Sequence, residues 1–491
     1  MPKEYFSVAG STGLKTLAPG AKIHLIGVCG VAMAQLAVSL CEMGFVVSGS
    51  DKEFYEPMGS LLARSAVRIC RGFDAANLAS DVNLVVIGNA VSYGNPEVLA
   101  VEKRALAYTL FPRLLYDTVI AGRHSIVVSG THGKTTTSAM GAFVLSRLGM
   151  DPGYFIGGIA HDLEQSLRRG NGKVSIVEGD EYDSAFFAKV PKFTFYAPDT
   201  LIITSVEFDH ADIYPDLESI NAQFSALVTS RKKDGYVIAC ADDLNLKDLV
   251  ASWRGQACCP LITYGEAPTA DWRLSEVHEQ GEFQSAVVRG PNGECFTLSL
   301  RLPGTYNLKN ALSVLLALEH AGAPRSGILT ALKEFRGVRR RQELRADAGG
   351  IVVIEDFAHH PTAVRETLNG LRARFPQRRL LAVFEPRSAT SRRRVFQEQY
   401  VEAFSSAGEA ILCRVAARSL DQDQALLDVD ELAQAIAASG VPARALPDAT
   451  QIAEYLRTAM RRGDVMVIMS NGSFGGLIDT LVKMVTEIAR L

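Results

Sequence analysis

One segment of the 491-residue chain combines glycines, a lysine and hydroxyl side chains in the manner of a phosphate-binding loop, and it spans residues 129–136 (SGTHGKTT). Its glycines let backbone N–H groups converge on phosphate oxygens, while Lys134 supplies a positive charge and Thr135 offers a hydroxyl to Mg²⁺. The full phosphate-loop pattern is not met, because Val128 stands where the first glycine should be. A plain glycine-rich turn is therefore the alternative, and a strand before the segment and a helix after it favour phosphate binding.

Acidic residues and one histidine follow two other predicted strands. Residues 178–183 (EGDEYD) hold four carboxylates, which repel one another unless cations neutralise them. A second strand end continues into residues 207–210 (EFDH). Because the carboxyl ends of parallel strands face the ligand crevice, Glu178 and His210 can both reach a metal above the sheet. Mg²⁺ prefers a few carboxylates plus substrate phosphates, although each residue alone fits a solvated acid or a loop histidine equally well.

The elements that must position these residues alternate between short apolar runs and helix-length segments, which predicts an α/β fold with parallel sheets. Strands are predicted at residues 22–28, 45–50, 82–88, 125–129, 174–178, 200–206, 236–240, 350–354, 380–384, 409–413 and 464–469. A helix is predicted at 137–148, directly after the glycine-rich loop, and antiparallel strands at 271–302. The pattern starts afresh near residues 122 and 346, which predicts three domains, 1–121, 122–346 and 347–491.

Length and composition agree with this organisation and exclude several classes of protein. A chain of 491 residues has room for about three domains, and 47% apolar with 21% charged residues excludes a largely disordered or fibrous chain. The 51 basic and 54 acidic residues give a net charge of −3, so we expect no nucleic-acid partner. The eight cysteines lack zinc-site spacing, and no apolar run reaches membrane-spanning length. We expect a cytoplasmic bacterial protein with reduced thiols, no membrane partner and no obligate protein partner.

Three segments in this order, GTHGKTT, EGDEYD and EFDHADIY, resemble the Mur ligase family of ATP-dependent ligases that form amide bonds. Further segments that resemble the family are GVCGVAM at 27–33, GSD at 49–51, GTYNLKNA at 304–311, RRR at 339–341 and EDFAHHP at 355–361. The resemblance covers almost the whole chain. It implies a Rossmann-like N-terminal domain that binds UDP-N-acetylmuramate, a central P-loop ATPase domain and a Rossmann-like C-terminal domain that binds peptide.

The resemblance also implies ATP and Mg²⁺ and assigns roles to individual residues. The catalytic residues would be Lys134, Glu178, His210 and Arg341, and the metal ligands Thr135, Glu178 and His210. The ATP-binding residues would be Gly130, Thr131, His132, Gly133, Lys134, Thr135, Thr136, Asn307, Asn310, Arg341 and Asp356. The UDP-sugar-binding residues would be Gly27, Gly30, Ser50, Asp51 and Asn89. Phe357 would pack on the adenine base.

The substrate is indicated by differences within the family. Some members carry a carbamylated lysine after the metal-binding histidine, and residues 219–225 contain no lysine, which points to the muramate-accepting branch. One member of that branch adds L-alanine to UDP-N-acetylmuramate. The other adds the tripeptide L-alanyl-γ-D-glutamyl-meso-diaminopimelate during peptidoglycan recycling. The tripeptide-adding member is the one resembled by EYDSAFF at 181–187, FDHADIY at 208–214, EPRS at 385–388 and SNGSFGG at 470–476. We therefore expect the tripeptide, with L-alanine as the alternative.

A tripeptide carries several carboxylates, which arginine binds in bidentate fashion. Arg387 and the run at 392–394 are candidates for this, although a solvated helix face is the favoured interpretation for at least two of the three arginines in the run. His360 can line the same cleft or cap the loop before Pro361.

Two other classes of protein share parts of these patterns. A dinucleotide-binding dehydrogenase has a glycine turn after its first strand, but the glycines at 27 and 30 lack the GxGxxG spacing. A non-catalytic nucleotide-binding module would use Lys134 and Thr135 without requiring Glu178, His210 or a third domain. Substrate-dependent release of phosphate would separate an enzyme from such a module.

Overall fold

The structure is a computed structural model that describes residues 5–211, 213–231, 233–256, 258–415 and 425–490. Asp212 of the EFDHADIY segment lies outside the described residues. In the described part of the chain, three large sheets follow one another along the sequence and carry helices on their faces. The α/β class predicted from the apolar runs is therefore confirmed.

The first sheet is parallel and has the strand order β3-β2-β1-β4-β5. Its strands are β1 (Lys22–Ile26), β2 (Val46–Asp51), β3 (Arg68–Arg71), β4 (Leu84–Ile87) and β5 (Tyr108–Leu110). Its helices are α1 (Val31–Glu42), α2 (Met58–Ala63), α3 (Pro96–Lys103) and α4 (Phe111–Leu115). The direction of winding reverses between β1 and β4, and in open α/β sheets ligands bind outside the strand ends at such a point.

The second sheet has ten strands in the order β17-β16-β15-β14-β13-β12-β6-β9-β7-β8. These are β6 (His124–Ser129), β7 (Gly153–Phe155), β8 (Leu167–Arg168), β9 (Val174–Gly179), β12 (Thr200–Ile203), β13 (Tyr236–Cys240), β14 (Leu261–Gly265), β15 (Trp272–Gln280), β16 (Phe283–Arg289) and β17 (Cys295–Leu300). β10 (Asp183–Ala185) and β11 (Ala188–Pro191) form a separate small sheet. The helices are α5 (Lys134–Arg147), α6 (Leu217–Thr229), α7 (Leu244–Arg254), α8 (Thr305–His320) and α9 (Arg325–Leu332). β15, β16 and β17 pair antiparallel, as predicted for 271–302.

The third sheet has the order β18-β19-β23-β20-β21-β22 and is parallel except for the β18–β19 pair. Its strands are β18 (Glu343–Ala348), β19 (Ile351–Asp356), β20 (Leu380–Phe384), β21 (Glu409–Cys413), β22 (Ala443–Leu446) and β23 (Val465–Met469). Its helices are α10 (Pro361–Arg374), α11 (Gln397–Ala403), α12 (Val429–Ala438), α13 (Ala449–Ala459) and α14 (Leu477–Ile488). β18 was not predicted from the sequence, and the boundary predicted at 346 falls inside this strand.

The apolar cores show how the sheets are joined. One continuous buried cluster runs through the first and second sheets, whereas the third sheet has a separate cluster on each face. The third unit therefore has apolar cores of its own, and polar contacts are among those that join it to the rest of the molecule. One of these is the hydrogen bond from Thr390 Oγ1 to Asp209 Oδ1 at 2.6 Å. Among the described residues, no helix is long and apolar enough to cross a membrane.

Candidate active site

Loops from all three sheets border one cavity of about 1590 Å³. Most of the residues predicted to bind ligands line it: Gly27, Gly30, Asp51, Asn89, Thr131, His132, Gly133, Lys134, Thr135, Thr136, Glu178, His210, Asn307, Asn310, Arg341, Asp356 and His360. Three predicted residues do not line it, namely Gly130, Ser50 and Arg387. The cavity thus brings together segments that are more than three hundred residues apart in the sequence.

The phosphate loop is shaped by two glycines with positive φ, Gly130 at 128° and Gly133 at 83°. Gly133 is the N-cap of α5, and no side chain caps this helix. The N–H groups of Thr131 and His132 donate to Ser205, so the N–H groups that remain for an anion belong to residues 133–136. The helix begins at Lys134 and not at the predicted residue 137, which places Thr135 and Thr136 in its first turn. A ligand's phosphates would meet a helix N-terminus here.

Lys134 is mostly buried, with 10% of its side chain exposed, and is paired with Glu181. Its Nζ lies 2.9 Å from Glu181 Oε2 and donates to Gly130 O at 2.5 Å. Burial, the largest single influence, would lower the pKa of this ammonium, but the charges of Glu181, Asp180 and Glu178 together outweigh it and the pKa is raised. The lysine therefore holds its positive charge inside the cavity.

Glu178 forms a hydrogen bond with Thr135, the residue that follows Lys134 in the phosphate loop. Thr135 Oγ1 donates to Glu178 Oε1 at 3.0 Å, and the Gly157 N–H donates to Oε2 at 2.7 Å. Burial, reinforced by the charge of Asp180, raises the pKa of Glu178, because the charge of Lys134 and the two hydrogen bonds compensate only part of the cost of burying its charged form. A hydroxyl beside such a carboxylate is the donor set that Mg²⁺ takes together with substrate phosphates, and this pair fits the ion that the family resemblance implies.

His210 lines the same cavity but pairs with a different carboxylate. Its Nε2 lies 3.3 Å from Glu181 Oε1, and this interaction raises the histidine's pKa against the opposing effect of burial. The backbone of His210 has a φ of 52°, an uncommon conformation for a non-glycine residue. Glu181 consequently contacts both Lys134 and His210, and its own pKa is lowered by these two neighbours despite burial.

Two charged residues of the site were not among the predicted site residues, namely Glu181 and the lysine that neutralises Asp180. Lys192 is buried, and its Nζ donates to Asp180 Oδ2 at 2.9 Å and to the Tyr182 hydroxyl at 2.8 Å. The EGDEYD segment indicated an excess of negative charge. Nothing in the spacing of the sequence connects this segment to Lys192, which directly follows β11.

The adenine and ribose residues of the prediction lie on α8 and at the end of β19. Asn307 Nδ2 donates to Pro303 O at 2.7 Å, and Asn310 Nδ2 lies 3.5 Å from Asn307 Oδ1. Asp356 accepts hydrogen bonds from the N–H groups of Gln342 and Ala358, both at 2.7 Å, and burial raises its pKa. These polar groups all line the cavity, the two asparagines from the second unit and Asp356 from the third.

Of the three successive arginines at 339–341, only Arg341 lines the cavity. Its guanidinium lies 4.9 Å from the centre of the Phe357 ring, within cation–π distance. Arg340 turns to the third sheet, where its Nε donates to Glu355 Oε1 at 2.8 Å, and Arg339 is exposed. The single arginine predicted to bind phosphate is thus also the one that reaches the cavity.

The first sheet contributes a second glycine-rich loop. Gly27 follows β1 with a φ of 80°, and Asp51 Oδ2 accepts a hydrogen bond from the Cys29 N–H at 2.8 Å. Ser50 differs from the prediction, because it is fully buried and its hydroxyl donates to Glu97 Oε2 at 2.5 Å. Successive residues of a strand point to opposite faces, so Asp51 faces the cavity where Ser50 cannot.

The two predicted peptide residues occupy different places. His360 is buried and is the N-cap of α10, where its Nδ1 accepts from the Thr362 N–H at 3.3 Å. Burial lowers its pKa to about 4. Arg387 is exposed and lies against Gly472, outside the cavity lining. His360 therefore caps the loop before Pro361, as the alternative predicted, and it also lines the cavity.

The run of three arginines is not a solvated helix face. Arg392 is 3% exposed, and Arg393 Nη2 donates to Ala211 O of the second unit at 2.6 Å. Arg394 is exposed and pairs with Glu431 at 2.6 Å. The favoured interpretation for at least two of these residues was therefore wrong, since tertiary contacts bury them.

Comparisons with known proteins give the same assignment for most of the chain. The Mur ligase family catalytic domain matches residues 22–121, the Mur ligase middle domain matches 128–318 and the Mur ligase glutamate ligase domain matches 340–472. A relative from Escherichia coli K12, named UDP-N-acetylmuramate–L-alanyl-γ-D-glutamyl-meso-2,6-diaminoheptandioate ligase, is 36% identical over 94% of this chain and 98% of its own length.

Two solved structures resemble the chain over nearly its full length. A murein peptide ligase from Psychrobacter arcticus is 30% identical with a TM-score of 0.70, and the match covers 95% of this chain and 99% of that one. A UDP-N-acetylmuramate–alanine ligase from Thermotoga maritima is 25% identical with a TM-score of 0.76, covering 94% and 98%. Three matched domains in order, a full-length relative and a cavity built from all three sheets lead to one conclusion: this chain belongs to the Mur ligase family of ATP-dependent ligases.

Proposed function

We propose that this protein joins the tripeptide L-alanyl-γ-D-glutamyl-meso-diaminopimelate to UDP-N-acetylmuramate at the expense of ATP, in peptidoglycan recycling. The observation that carries the proposal is the single cavity that contains a phosphate loop, a buried carboxylate beside it and a second glycine loop from another sheet. A sugar nucleotide, ATP and a peptide need three binding regions around one reaction centre. Because two substrates are soluble nucleotides, we place the reaction in the bacterial cytoplasm.

The proposed reaction has two steps. A carboxylate oxygen of the muramate attacks the γ-phosphorus of ATP, the bond to the bridging oxygen breaks, and ADP leaves, which forms an acyl phosphate. The tripeptide's free amine then attacks the acyl carbon, loses a proton and expels inorganic phosphate, which leaves an amide. Such a transfer depends on positioning and charge neutralisation, which Lys134 and Arg341 would supply, since both line the cavity.

The Mg²⁺ of the proposed reaction would be held by Thr135 and Glu178, with His210 as a candidate ligand on the neighbouring strand end. When bound, the ion neutralises charge on the transferring phosphoryl group. Thr135 and Glu178 are already in hydrogen-bond contact, so little rearrangement is needed for them to share a ligand. His210 would first have to leave Glu181.

The tripeptide is favoured over L-alanine by the segments near the end of the third sheet. EPRS follows β20 and SNGSFGG follows β23, and these two strands are hydrogen-bonded neighbours. The Ser470 hydroxyl donates to Glu385 Oε2 at 2.5 Å, and Arg387 packs against Gly472. The two segments that resemble the tripeptide-adding member are therefore one surface, on which the exposed guanidinium of Arg387 can meet a peptide carboxylate.

Sequence identity and backbone similarity point to relatives with different substrates. The most identical relative reported above is a tripeptide ligase, whereas the higher of the two TM-scores belongs to an alanine ligase. A TM-score measures the arrangement of the backbone, which both enzymes share, and specificity depends on side chains. Sequence identity and the surface around Arg387 carry more weight for this reason.

A comparison of amine substrates tests the proposal. Purified protein with ATP, Mg²⁺ and UDP-N-acetylmuramate should release phosphate in stoichiometric amounts with new amide when the tripeptide is added. We expect kcat/KM for the tripeptide to exceed that for L-alanine at least about tenfold, since a peptide carboxylate paired with arginine contributes about 1.5–3 kcal/mol. Arg387→Ala should raise KM for the tripeptide and leave KM for ATP unchanged. Faster turnover with L-alanine would overturn the tripeptide assignment.

A further inference from the structure

Three side chains of the cavity wall form a cluster that the proposed reaction does not use. His132 belongs to the phosphate loop, Glu207 follows β12, and His360 caps α10 of the third unit. His132 Nε2 lies 3.5 Å from Glu207 Oε2, and His360 Nδ1 lies 3.3 Å from the same oxygen. One ligand atom from each residue can be chosen so that all three lie within 4.8 Å of one another.

The two distances to Glu207 Oε2 match the ligand separations around a tetrahedral metal ion. Zn²⁺ binds imidazole nitrogen and carboxylate oxygen at about 2.0–2.2 Å, which places neighbouring ligand atoms at about 3.4 Å in a tetrahedron. The two measured distances to Glu207 Oε2 lie within 0.1 Å of that value. Two histidines and a glutamate with an open fourth position are also a known ligand set for Zn²⁺.

The hydrogen bonds of the cluster leave one histidine nitrogen without a partner. Within the described part of the chain, Nε2 of His360 is buried and has no hydrogen-bond partner, and the whole His360 residue is only 4% exposed. Nε2 of His132 is also buried, and its contact is the 3.5 Å ion pair with Glu207 Oε2. Buried polar atoms normally find a partner, so the His360 nitrogen beside this long contact calls for an explanation. Glu207 Oε2 also accepts a hydrogen bond from Thr362 Oγ1 at 2.7 Å, which would orient the carboxylate toward a metal.

We propose that His132, Glu207 and His360 bind a divalent transition-metal ion of the Zn²⁺ type, distinct from the Mg²⁺ held by Thr135 and Glu178. Imidazole ligands suit zinc and its neighbours in the periodic table, whereas magnesium prefers oxygen ligands throughout. His360 would bind through Nδ1, the atom that lies 3.3 Å from Glu207 Oε2, in exchange for the long hydrogen bond from the Thr362 N–H.

The proposed ion would have a structural consequence. His132 lies in the phosphate loop and His360 lies at the first turn of α10, so a metal between them would tie the ATP-binding loop to the third unit. The ring centres of the two histidines are 4.8 Å apart in the arrangement described here. A ligand set that exists only when the two units meet would favour that arrangement, because the ion binds it more tightly than any arrangement that separates the histidines.

Metal binding by the purified, chelator-stripped full-length protein tests the proposal without any enzyme assay. Zn²⁺ is titrated in competition with a chromophoric chelator, using wild type, Glu207→Gln, His360→Gln and two controls. His278→Gln changes an exposed histidine of β15, and His210→Gln changes the proposed Mg²⁺ site. We expect one tight Zn²⁺ equivalent in the wild type and in both controls, and binding weaker at least about tenfold in Glu207→Gln and His360→Gln.

Unchanged Zn²⁺ affinity in Glu207→Gln and His360→Gln, or loss of binding in His210→Gln alone, would overturn the proposal. Co²⁺ added to the wild type gives a second measurement that does not depend on the folding of any variant. The intense visible absorption of tetrahedral Co²⁺, removed by Zn²⁺, would support the site. The weak absorption of octahedral Co²⁺ alone would overturn it.

Discussion

Two strand–loop–helix units open onto the cavity, and their geometry is alike while their chemistry differs. In the first sheet the loop after β1 leads to α1, whose N-cap is Gly30, and in the second sheet the loop after β6 leads to α5, whose N-cap is Gly133. Neither helix has a side-chain cap, so each presents free N–H groups to an anion. Both loops can therefore hold phosphate groups.

The two loops differ in the charges of the residues in the first turn of the following helix and of the buried residues next to that turn. The turn of α1 contains Val31, Ala32 and Met33, none of them charged, whereas that of α5 begins with Lys134 and is backed by buried carboxylates such as Glu178. A neutral loop suffices to bind a diphosphate that does not react. A loop that must stabilise charge during phosphoryl transfer needs a cation on one side and a metal site on the other.

The largest effect is expected from Lys134→Ala, which should lower kcat at least about 10³-fold and leave the affinity for UDP-N-acetylmuramate nearly unchanged. The substitution removes the positive charge from the second loop only. It also leaves Glu181 with one cationic partner fewer, so thermal unfolding should be measured alongside turnover. The double variant Lys134→Ala/Glu181→Gln should recover stability without activity. Near-normal ATP turnover in either variant would contradict a catalytic role for this loop.

A smaller effect is expected from Gly133→Ala. Its φ of 83° strains any other residue by about 1–2 kcal/mol, and a Cβ atom there would lie 2.8 Å from Asn310 Oδ1. We expect the affinity for an ATP analogue to fall about 10- to 100-fold by calorimetry. Gly20→Ala is the matched control, because Gly20 has a φ of 85° but open space around it. If both variants bind nucleotide equally well, the shape of the second loop is not what holds the phosphates.

A change in the first loop should give the opposite pattern. Asp51→Ala removes the acceptor for the Cys29 N–H and should weaken binding of UDP-N-acetylmuramate about tenfold, equivalent to about 1.4 kcal/mol. Affinity for an ATP analogue should stay within twofold or so of wild type. Asp74→Ala, which removes a helix cap outside the cavity lining, serves as the control. Equal loss of both ligands would show that the two loops do not act separately.

The smallest effect is expected on the free energy of unfolding, from a buried carboxyl that lies in the first unit. Glu97 is fully buried, and although burial raises its pKa, hydrogen bonds from His24, Ser50 and Asn77 lower it overall. A carboxyl with a lowered folded pKa stabilises the protein above its unfolded pKa of about 4.3, and this contribution is lost as the pH falls through the folded value. Glu97→Gln should therefore cost about 1–3 kcal/mol at neutral pH and less below about pH 4 by urea unfolding. A gap that widens toward acid pH would contradict the direction of the shift.

Local sequence patterns predicted much of this arrangement. The strand before the phosphate loop and the carboxylates at the next strand end follow from apolar runs and from spacing, both of which are local properties. Residue types at such ends then indicated Lys134 and Glu178. The order of the strands within each sheet did not follow, since it depends on which runs pair after folding.

The predictions failed where tertiary contacts decide. Ser50 and Asp51 are neighbours in sequence, and only the register of β2 determines which one faces the cavity. Lys192 neutralises Asp180 because folding brings the two side chains together, and the spacing of the residues in the sequence does not indicate this pair. Arg387 and His360 were candidates for one peptide cleft, but His360 lines the cavity whereas Arg387 is exposed outside its lining.

The transfer of heavy oxygen from the sugar to phosphate tests whether the two loops act on the same carboxylate. UDP-N-acetylmuramate labelled with heavy oxygen in its lactyl carboxylate is incubated with ATP, Mg²⁺, the tripeptide and the protein. If the carboxylate presented by the first sheet attacks the phosphate held by the second loop, one labelled oxygen must appear in each inorganic phosphate released, as mass spectrometry of the phosphate would show. Amide formation with unlabelled phosphate would contradict phosphorylation of that carboxylate.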